Sequence, residues 1–357
     1  MIFGVEGHRL LRSRLASAIR RRSIGVLEVL RTDRRDRRLR GKSDTIDAKR
    51  RPGRKPALAS AVEPVGPPLE QDLTKEFIMK ILATGATGQY AGLVVPALVE
   101  RGIEVRALIH DPGKADLARR HGATETVEAD LADRASLDAA LDGVDGAFLI
   151  TPAFHPDATQ LGLNLIDAAV AAGVGKIVYS GVYHPSLALV NHASTRPIEA
   201  ALYESEVDFT ILEPAMYMQG LDSTYQQARQ RGTIVFPWSK QSKLTYVDYR
   251  DVAEVAAIAF TDERLSYGTF ELAAEGMTSR IRLAELMSRA AGRTITAEDM
   301  PESAGSMPDQ PGGISAMLTA YDRHGLHGGN SLVLSTILRR TPRSVADYVD
   351  ELATRSG

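Results

Sequence analysis

The stretch KILATGATGQYAGLVV, Lys80 to Val95, decides the fold. A strand-like run meets a turn of small residues, and a helix-like run follows. Gly85, Gly88 and Ala91 give the turn the spacing G-x-x-G-x-x-A. Such a turn lets the backbone approach a pyrophosphate, and the next helix offers free N–H groups and its positive dipole end. A plain strand–turn–helix corner is the alternative, so the surrounding sequence has to decide.

Short β-branched runs alternate with helix-like runs from Phe77 onward. This alternation predicts βαβ units and an α/β fold, a doubly wound parallel sheet of the Rossmann type. The predicted strands are Lys80–Thr84, Val105–His110, Glu125–Ala129, Gly146–Thr151, Lys176–Ser180 and Phe209–Leu212. The predicted helices are Tyr90–Arg101, Pro112–His121, Ser136–Leu141, Thr159–Ala172 and about Pro197–Glu204. Pro96 predicts a kink in the first helix.

On the first strand of such a sheet, the glycine-rich turn predicts a dinucleotide site. The residues predicted to hold the cofactor there are Gly85, Ala86, Thr87, Gly88, Gln89 and Tyr90.

The composition is that of a soluble protein with a sizeable core. The 357 residues are 44% hydrophobic, contain no cysteine, and include no apolar run near the roughly 20 residues of a membrane helix. Disulfides and thiolate metal sites are therefore excluded. The eight histidines show no H-E-x-x-H spacing, so no metal site is predicted. We expect a cytoplasmic protein without a membrane partner.

The charge is divided unevenly along the chain. Residues 1–78 hold 19 Lys and Arg against 10 Asp and Glu, whereas the remainder is acidic. An acidic body disfavours a nucleic-acid partner. We predict that residues 1–78 form a basic, disordered extension, although a nucleic-acid or membrane-binding arm and a transit peptide are alternatives. Residues 79–357 then form the dinucleotide-binding domain, with a core at about 79–215 and substrate-lobe elements in about 216–357.

The end of the second strand bears on which dinucleotide binds. An acidic group there holds the ribose 2′-OH of NAD, whereas a basic group favours the 2′-phosphate of NADP. His110 and Lys114 lie at this end and favour NADP, whereas Asp111 favours NAD. Arg106 lies roughly 13 Å back along the strand. We predict NADP(H), with NAD(H) as the alternative.

Further cofactor contacts are predicted at the ends of the next strands. After the third strand, Asp130 can accept from the adenine amino group while Leu131 packs on the ring. Thr151 and Pro152 end the fourth strand over the same crevice, and Ser180 ends the fifth.

Eight segments carry a family resemblance: ATGATGQYAG, VRALIHDPGKA, EADLADRASLDAALDGVDGAFLITP, NLIDAAVAAGVGKIVYSG, FTILEPAMYMQG, YVDYRDVAEVAA, YDRHGLHGG and RRTPRSVADYV. From about Met79 onward the chain resembles the NmrA-like group of atypical short-chain dehydrogenase/reductases. The resemblance implies an NAD(P)-binding Rossmann domain with a small C-terminal α+β lobe that closes a substrate pocket. The family includes NAD(P)H-dependent quinone and other reductases, and also redox-sensing regulators that bind the cofactor without turnover.

The Tyr-x-x-x-Lys pair of the wider superfamily is missing. Laid on the family pattern, VNHASTRPIEAAL places His192 at the tyrosine position and Arg196 at the lysine position. Arg196 keeps the charge and can bind ribose hydroxyls, but its fork geometry differs from that of lysine. His192, Arg196 and Tyr183 are the candidate catalytic residues. His192 either donates a proton, which a quinone could instead take from water, or only lines the pocket, and Tyr183 either lines the pocket or packs.

These residues favour one function and leave one alternative. PAMYMQG (214–220) and FPW (236–238) are apolar and aromatic, and they form either part of the core, the more frequent case, or the lining for a flat, apolar small-molecule substrate. We expect an NAD(P)H-dependent oxidoreductase that transfers hydride to a quinone-like or carbonyl compound. The alternative is a regulatory protein that senses NAD(P) without turnover, and a homo-oligomer is compatible with either.

Overall fold

A seven-stranded parallel sheet is the centre of the computed structural model, which describes residues 78–300 and 313–355. The described strands are β1 Lys80–Ala83, β2 Glu104–Ile109, β3 Glu125–Glu128, β4 Gly146–Leu149, β5 Lys176–Ser180, β6 Asp208–Pro214, β7 Met216–Tyr217, β8 Thr233–Phe236, β9 Lys243–Leu244, β10 Tyr246–Val247, β11 Gly268–Leu272, β12 Thr278–Ser279 and β13 Thr296–Asp299. The central sheet has the order β11-β6-β5-β4-β1-β2-β3, and all neighbouring strands are parallel. The predicted doubly wound α/β fold is confirmed.

Helices cover both faces of this sheet. The described α-helices are α1 Val94–Val99, α2 Ala115–Arg120, α3 Arg134–Leu141, α4 Ala158–Ala171, α5 Val190–Ala193, α6 Arg196–Glu204, α7 Leu221–Arg231, α8 Tyr249–Thr261, α9 Arg280–Ala291, α10 Ile314–His324, α11 Leu332–Leu338 and α12 Val345–Arg355. We call the side that packs on α1 and α8 the α8 face, and the side that packs on α3, α4 and α6 the α4 face.

Successive side chains of each buried strand supply the two faces in turn, because strand side chains alternate. Within β1, Ile81 packs on the α8 face and Leu82 on the α4 face. Within β5, Val178 belongs to the α8 face and Tyr179 to the α4 face. The near-continuous apolar strands of the sequence are therefore explained by a sheet that is buried on both sides.

The predicted ends of several elements are corrected. The first helix begins as a 3-10 turn at Ala91–Leu93 and becomes α-helical at Val94, so Pro96 stands in the first turn of α1. Proline is tolerated in the first turn of an α-helix, and the kink stays a prediction. Strand β2 ends at Ile109 and β4 at Leu149, because the chain turns out of the sheet before His110 and Thr151.

Apart from β11 and α8, which belong to the central sheet and its covering layer, the elements after β6 form a small α+β lobe of short strand pairs, in which β7 pairs with β10, β9 with β12 and β8 with β13. Buried Arg280 stabilises it by donating to the carbonyl oxygens of Phe236 (3.0 Å) and Trp238. Asp251 of α8 is fully buried and accepts hydrogen bonds from Arg340 (2.7 Å) and from Arg343. These ion pairs fix the C-terminal segment against the core.

The basic extension predicted for residues 1–78 lies outside the described residues, except for Ile78. Within the described part of the chain, no helix combines the length and the apolar character that crossing a membrane requires.

Candidate functional site

The glycine-rich turn lies at the carboxyl end of β1, between β1 and α1. Thr84 joins the ends of β1 and β4, since its Oγ1 accepts from the Ile150 N–H (2.9 Å) and donates to the Ile150 carbonyl (3.2 Å). Gly85 follows with φ +65°, and a Cβ there would lie 3.0 Å from both Ala91 Cβ and Ile150 Cγ2. Glycine is required here, because any other residue is strained in the left-handed backbone conformation and its Cβ would crowd both neighbours.

The turn presents its amides to the crevice. The Gly88 N–H closes the turn on the Gly85 carbonyl at 2.8 Å. The N–H groups of Ala86, Thr87 and Gln89 donate to no acceptor within the described residues. This arrangement, just before a helix N-terminus, fits the diphosphate of a dinucleotide.

His121 supports the turn from the opposite side. Its Nδ1 lies 3.0 Å from the Ala86 carbonyl oxygen and donates to it. His121 comes at the end of α2, 35 positions along the chain, so no local motif in the sequence indicated this role.

At the end of β2, His110 and Lys114 are exposed and form no ion pair or side-chain hydrogen bond with a described residue. Asp111 instead accepts from the Gly113 N–H at 2.9 Å and caps the short turn. Arg106 faces away, since it binds Glu125 (2.7 Å) and two carbonyl groups beside α3. The two side chains named from the sequence therefore stay available to a ligand phosphate.

The predicted adenine contacts lie along the same carboxyl edge. Asp130 Oδ1 accepts from the Ala132 N–H at 2.8 Å, which holds the turn after β3. Leu131 is half-buried, and its carbonyl accepts from Asn164 of α4 at 2.9 Å. After β4, Thr151 is half-buried and Pro152 is exposed.

Ser180 ends β5 but faces a group of tyrosines. Its Oγ lies 3.1 Å from the Tyr249 hydroxyl oxygen. The ring of Tyr217 lies 4.7 Å from that of Tyr249 and 4.8 Å from that of Tyr90, on the glycine-rich turn. Burial raises the pKa of both Tyr217 and Tyr249, so their hydroxyls stay neutral. Ser180 and Tyr90 are thus brought together behind the turn.

His192 is 1% exposed, on the short helix α5. Its Nδ1 lies 3.2 Å from the His184 carbonyl oxygen, and its Nε2 is buried without a partner in the described chain. Burial lowers the pKa of His192, so the ring is neutral with its proton on Nδ1. Nε2 then offers a lone pair, which disfavours the proton-donor role that the sequence left open.

Arg196 is the first residue of α6 and is exposed, with Nη2 donating to the Leu187 carbonyl at 3.1 Å. The structure therefore does not join Arg196 to His192 by a hydrogen bond, although both stand in the same loop and helix region.

Tyr183 and His184 form a second centre beyond the end of β5. The two rings lie 3.9 Å apart. His184 Nδ1 lies 2.5 Å from Glu271 Oε1 on β11, and its Nε2 lies 2.8 Å from the His327 carbonyl oxygen. Burial raises the pKa of Tyr183 to about 12, so this hydroxyl keeps its proton.

The segment that carries His327 packs tightly across the lobe, and we call residues 325–329 the strap. Gly325 runs against the backbone of Lys243, and a Cβ there would overlap its carbonyl. Gly328 lies against the Tyr183 hydroxyl and Thr245 Oγ1. The strap thereby closes the site on the side of Tyr183.

Of the apolar segments predicted to line the pocket, Met218 is fully buried in the core. Phe236 and Trp238 are half-buried and stack at 4.8 Å. Within the part of the chain that the structure describes, no three His, Asp or Glu side chains are placed to hold a metal ion.

The family model of the NmrA-like family matches residues 79–338, which is more than half of the chain. The protein therefore belongs to the NmrA-like family, and the resemblance predicted from its sequence is confirmed.

Similar proteins include named oxidoreductases. The NAD(P)H azoreductase of Xenophilus azovorans is 31% identical over 224 residues, covering 60% of this chain and 75% of that enzyme. Quinone oxidoreductase 2 of Escherichia coli (strain K12) is 26% identical over 282 residues, covering 76% of this chain and 98% of that enzyme. The crystal structure of the NADPH-dependent quinone oxidoreductase QOR2 of Escherichia coli, complexed with NADPH, has a TM-score of 0.67 at 25% identity and covers 76% of this chain and 99% of that one.

A regulator shares the fold. NmrA, a negative transcriptional regulator solved in complex with NAD, has a TM-score of 0.64 at 19% identity, covering 78% of this chain and 96% of NmrA. This likeness concerns the fold alone.

Proposed function

We propose that this protein is an NAD(P)H-dependent oxidoreductase that transfers hydride to a quinone-like or carbonyl small molecule. The observation that carries the proposal is the turn from Gly85 to Ala91, whose free amides precede a helix on the first strand of a doubly wound sheet. The similarity to an azoreductase and to a quinone oxidoreductase supports reduction over mere binding.

NADP(H) is the favoured cofactor in this proposal. The turn residues, with Tyr90, would hold the diphosphate, and His110 and Lys114 would face the 2′-phosphate. Asp130, Leu131, Thr151 and Pro152 would line the adenine and ribose path, and Ser180 and Arg196 the nicotinamide end. When bound, the cofactor supplies the hydride, so this chain has to bind, orient and exclude water.

The substrate in this proposal is flat and apolar. The elements after Pro214, in residues 216–357, would supply the lobe that covers it. Tyr217 and the stacked pair of Phe236 and Trp238 offer aromatic surfaces of suitable character.

A sensing regulator is the second candidate. The sequence has no Tyr-x-x-x-Lys pair, and His192 offers a lone pair where a proton donor is expected. The lack of an evident proton donor favours a protein that binds the cofactor without turnover. The same fold serves the regulator NmrA.

Calorimetry and nicotinamide absorbance test these candidates on the purified full chain. We expect micromolar or tighter binding of NADPH and its oxidation in the presence of quinones. Tight binding without turnover over a panel of quinones and aldehydes would favour the sensor, and no binding of either nucleotide would overturn both.

The NADP preference has a matched test. Lys114→Glu should weaken NADPH binding about tenfold or more while leaving NADH binding unchanged, because only NADPH carries the 2′-phosphate. Arg120→Glu is the control, since Arg120 is an exposed cation at the far end of α2. Equal losses in both variants would mean a general charge effect instead of a specific contact.

A further inference from the structure

Glu213 is a buried acid at the edge of the sheet where ligands bind in doubly wound folds. It is the last residue but one of β6 and is 6% exposed. Phe209 and Ile211 of the same strand face α6, so by alternation Glu213 also faces α6. The chain after β5 runs alongside, since Gly181 N–H bonds the Leu212 carbonyl at 2.8 Å. Glu213 therefore lies on the α6 side of the sheet, and the next residue, Pro214, accepts from the Tyr183 N–H at 3.1 Å.

The surroundings of Glu213 are acidic. Its titratable neighbours are Glu199 on α6, Glu271 directly opposite on β11, and Tyr183 in the loop above. Glu199 is itself buried, and its Oε1 has no partner among the described residues. The neighbouring imidazole of His184 is already bound to Glu271.

No described side chain or backbone group donates a hydrogen bond to the Glu213 carboxyl. The side chain is 6% exposed and lies near two other carboxyl groups, so the neutral acid is favoured. Burial, with the charges of Glu199 and Glu271, raises the pKa of Glu213 to about 8. At neutral pH the side chain is therefore mainly a carboxylic acid that can donate, as a carboxyl in an apolar site does.

We propose that Glu213 is the proton donor of this site and replaces the missing tyrosine. The proposal rests on the proposed oxidoreductase function. As the acceptor receives the hydride with its electron pair, the O–H bond of Glu213 breaks and a new O–H bond forms on the acceptor oxygen. A quinone becomes the hydroquinone, Glu213 becomes a carboxylate, and it regains a proton from water.

The other candidates for this role are less suited to it. His192 presents a lone pair at Nε2, and Arg196 cannot lose a proton at these pH values. Tyr183 holds its proton with a pKa of about 12 and packs against Gly328. Glu213 alone among these four is an acid whose pKa lies near the working pH.

A direct titration tests the protonation state without any cofactor. Infrared difference spectra between the native chain and Glu213→Gln should show one protonated carboxyl at pH 6.5 that is lost as the pH passes about 8. Glu271→Gln should move this titration to lower pH, because it removes a neighbouring negative charge. Glu206→Gln, an exposed acid before the start of β6, should leave it unchanged. Absence of the signal would overturn the proposal.

The catalytic role is tested with two kinds of acceptor. Glu213→Gln should lower kcat with a quinone about a hundredfold and remove the decline of the native rate above pH 8, with NADPH binding unchanged. A triarylmethane dye cation needs only hydride, so its rate should be the same in both proteins. Circular dichroism confirms that the variant folds.

Each other outcome has a defined meaning. Native quinone kcat and pH profile in Glu213→Gln would overturn the proton-donor role while leaving the oxidoreductase intact. Equal losses with the quinone and the dye cation would also overturn it, because they indicate a binding role. If none of the acceptors supports NADPH oxidation by the native chain, the oxidoreductase proposal itself is overturned, and this one with it.

Discussion

The two ends of the candidate site are built in different ways. The glycine-rich turn is assembled from neighbours in the sequence, and its defining contact, Gly88 to Gly85, spans three residues. The other end, which we call the acidic end, comprises Glu213, Glu271 and His184 and is assembled from distant parts of the domain. His184 contacts Glu271, 87 positions away in the chain, and His327 of the strap, 143 positions away. Residues close in the sequence thus determine the geometry of the glycine-rich turn, whereas contacts between distant residues determine the surroundings of Tyr183, His184 and Glu213.

This difference predicts where each end is fragile. Substitutions in the glycine-rich turn should mainly weaken nucleotide binding, because its strained backbone and its free amides face that role. Substitutions at the acidic end should mainly change the free energy of unfolding and its pH dependence, because this end depends on crowded backbone contacts and on a buried acid. The four experiments below test this distinction, from the largest expected effect to the smallest.

Gly325→Ala should destabilise the protein by about 3 kcal/mol. The new Cβ would overlap the Lys243 carbonyl, which is backbone and cannot rotate away, and φ is +69°. Gly292→Ala is the matched control, with φ +62° and open space around it, and should cost only about 1 kcal/mol. Urea denaturation gives both values. Equal costs would mean that the strap is not held tightly against the lobe.

Glu213→Gln should remove a pH dependence of stability. The pKa of Glu213 is raised to about 8 in the fold from 4.5, so its stabilising contribution is complete below pH 4.5 and is lost as the pH rises through 8. The variant should therefore match the native chain at pH 4.5 and exceed it at pH 9 by on the order of 2 kcal/mol after screening. Parallel curves for the two proteins from pH 5 to 9 would contradict a buried acid at this position.

Gly85→Ala should act on the ligand more than on the fold. We expect NADPH binding to weaken about tenfold, because the methyl group crowds Ala91 and Ile150 and shifts the amides. Gly143→Ala has a similar φ of +68° with open space, so both variants should lose about 1 kcal/mol of stability. Calorimetry on both variants separates the two effects, and unchanged affinity in Gly85→Ala would remove the turn from the site.

The sequence allowed the fold and the first end of the site to be predicted for a physical reason. Strand–helix alternation and a glycine spacing are short-range patterns, and the parallel sheet follows from them. Glu213 reads as an ordinary polar residue at the end of a strand, because only the pairing of β6 with β11 and the packing of α6 bring Glu271 and Glu199 to it. The sequence likewise indicates no role for His184, since its partners are distant in the chain.

One contact that supports the glycine-rich turn comes from a residue distant in the sequence, His121. The hydrogen bond from His121 Nδ1 to the Ala86 carbonyl joins the turn to α2 across 35 positions. His121→Leu keeps the packing but loses the donor, so NADPH affinity should fall roughly threefold, in line with a net hydrogen bond of about 0.7 kcal/mol. His121→Gln can still donate and should recover most of that loss. Full affinity in the leucine variant would show that residues adjacent in the sequence are enough to hold the turn. The difference between a locally built turn and an acidic end built from distant residues would then be larger than the structure implies.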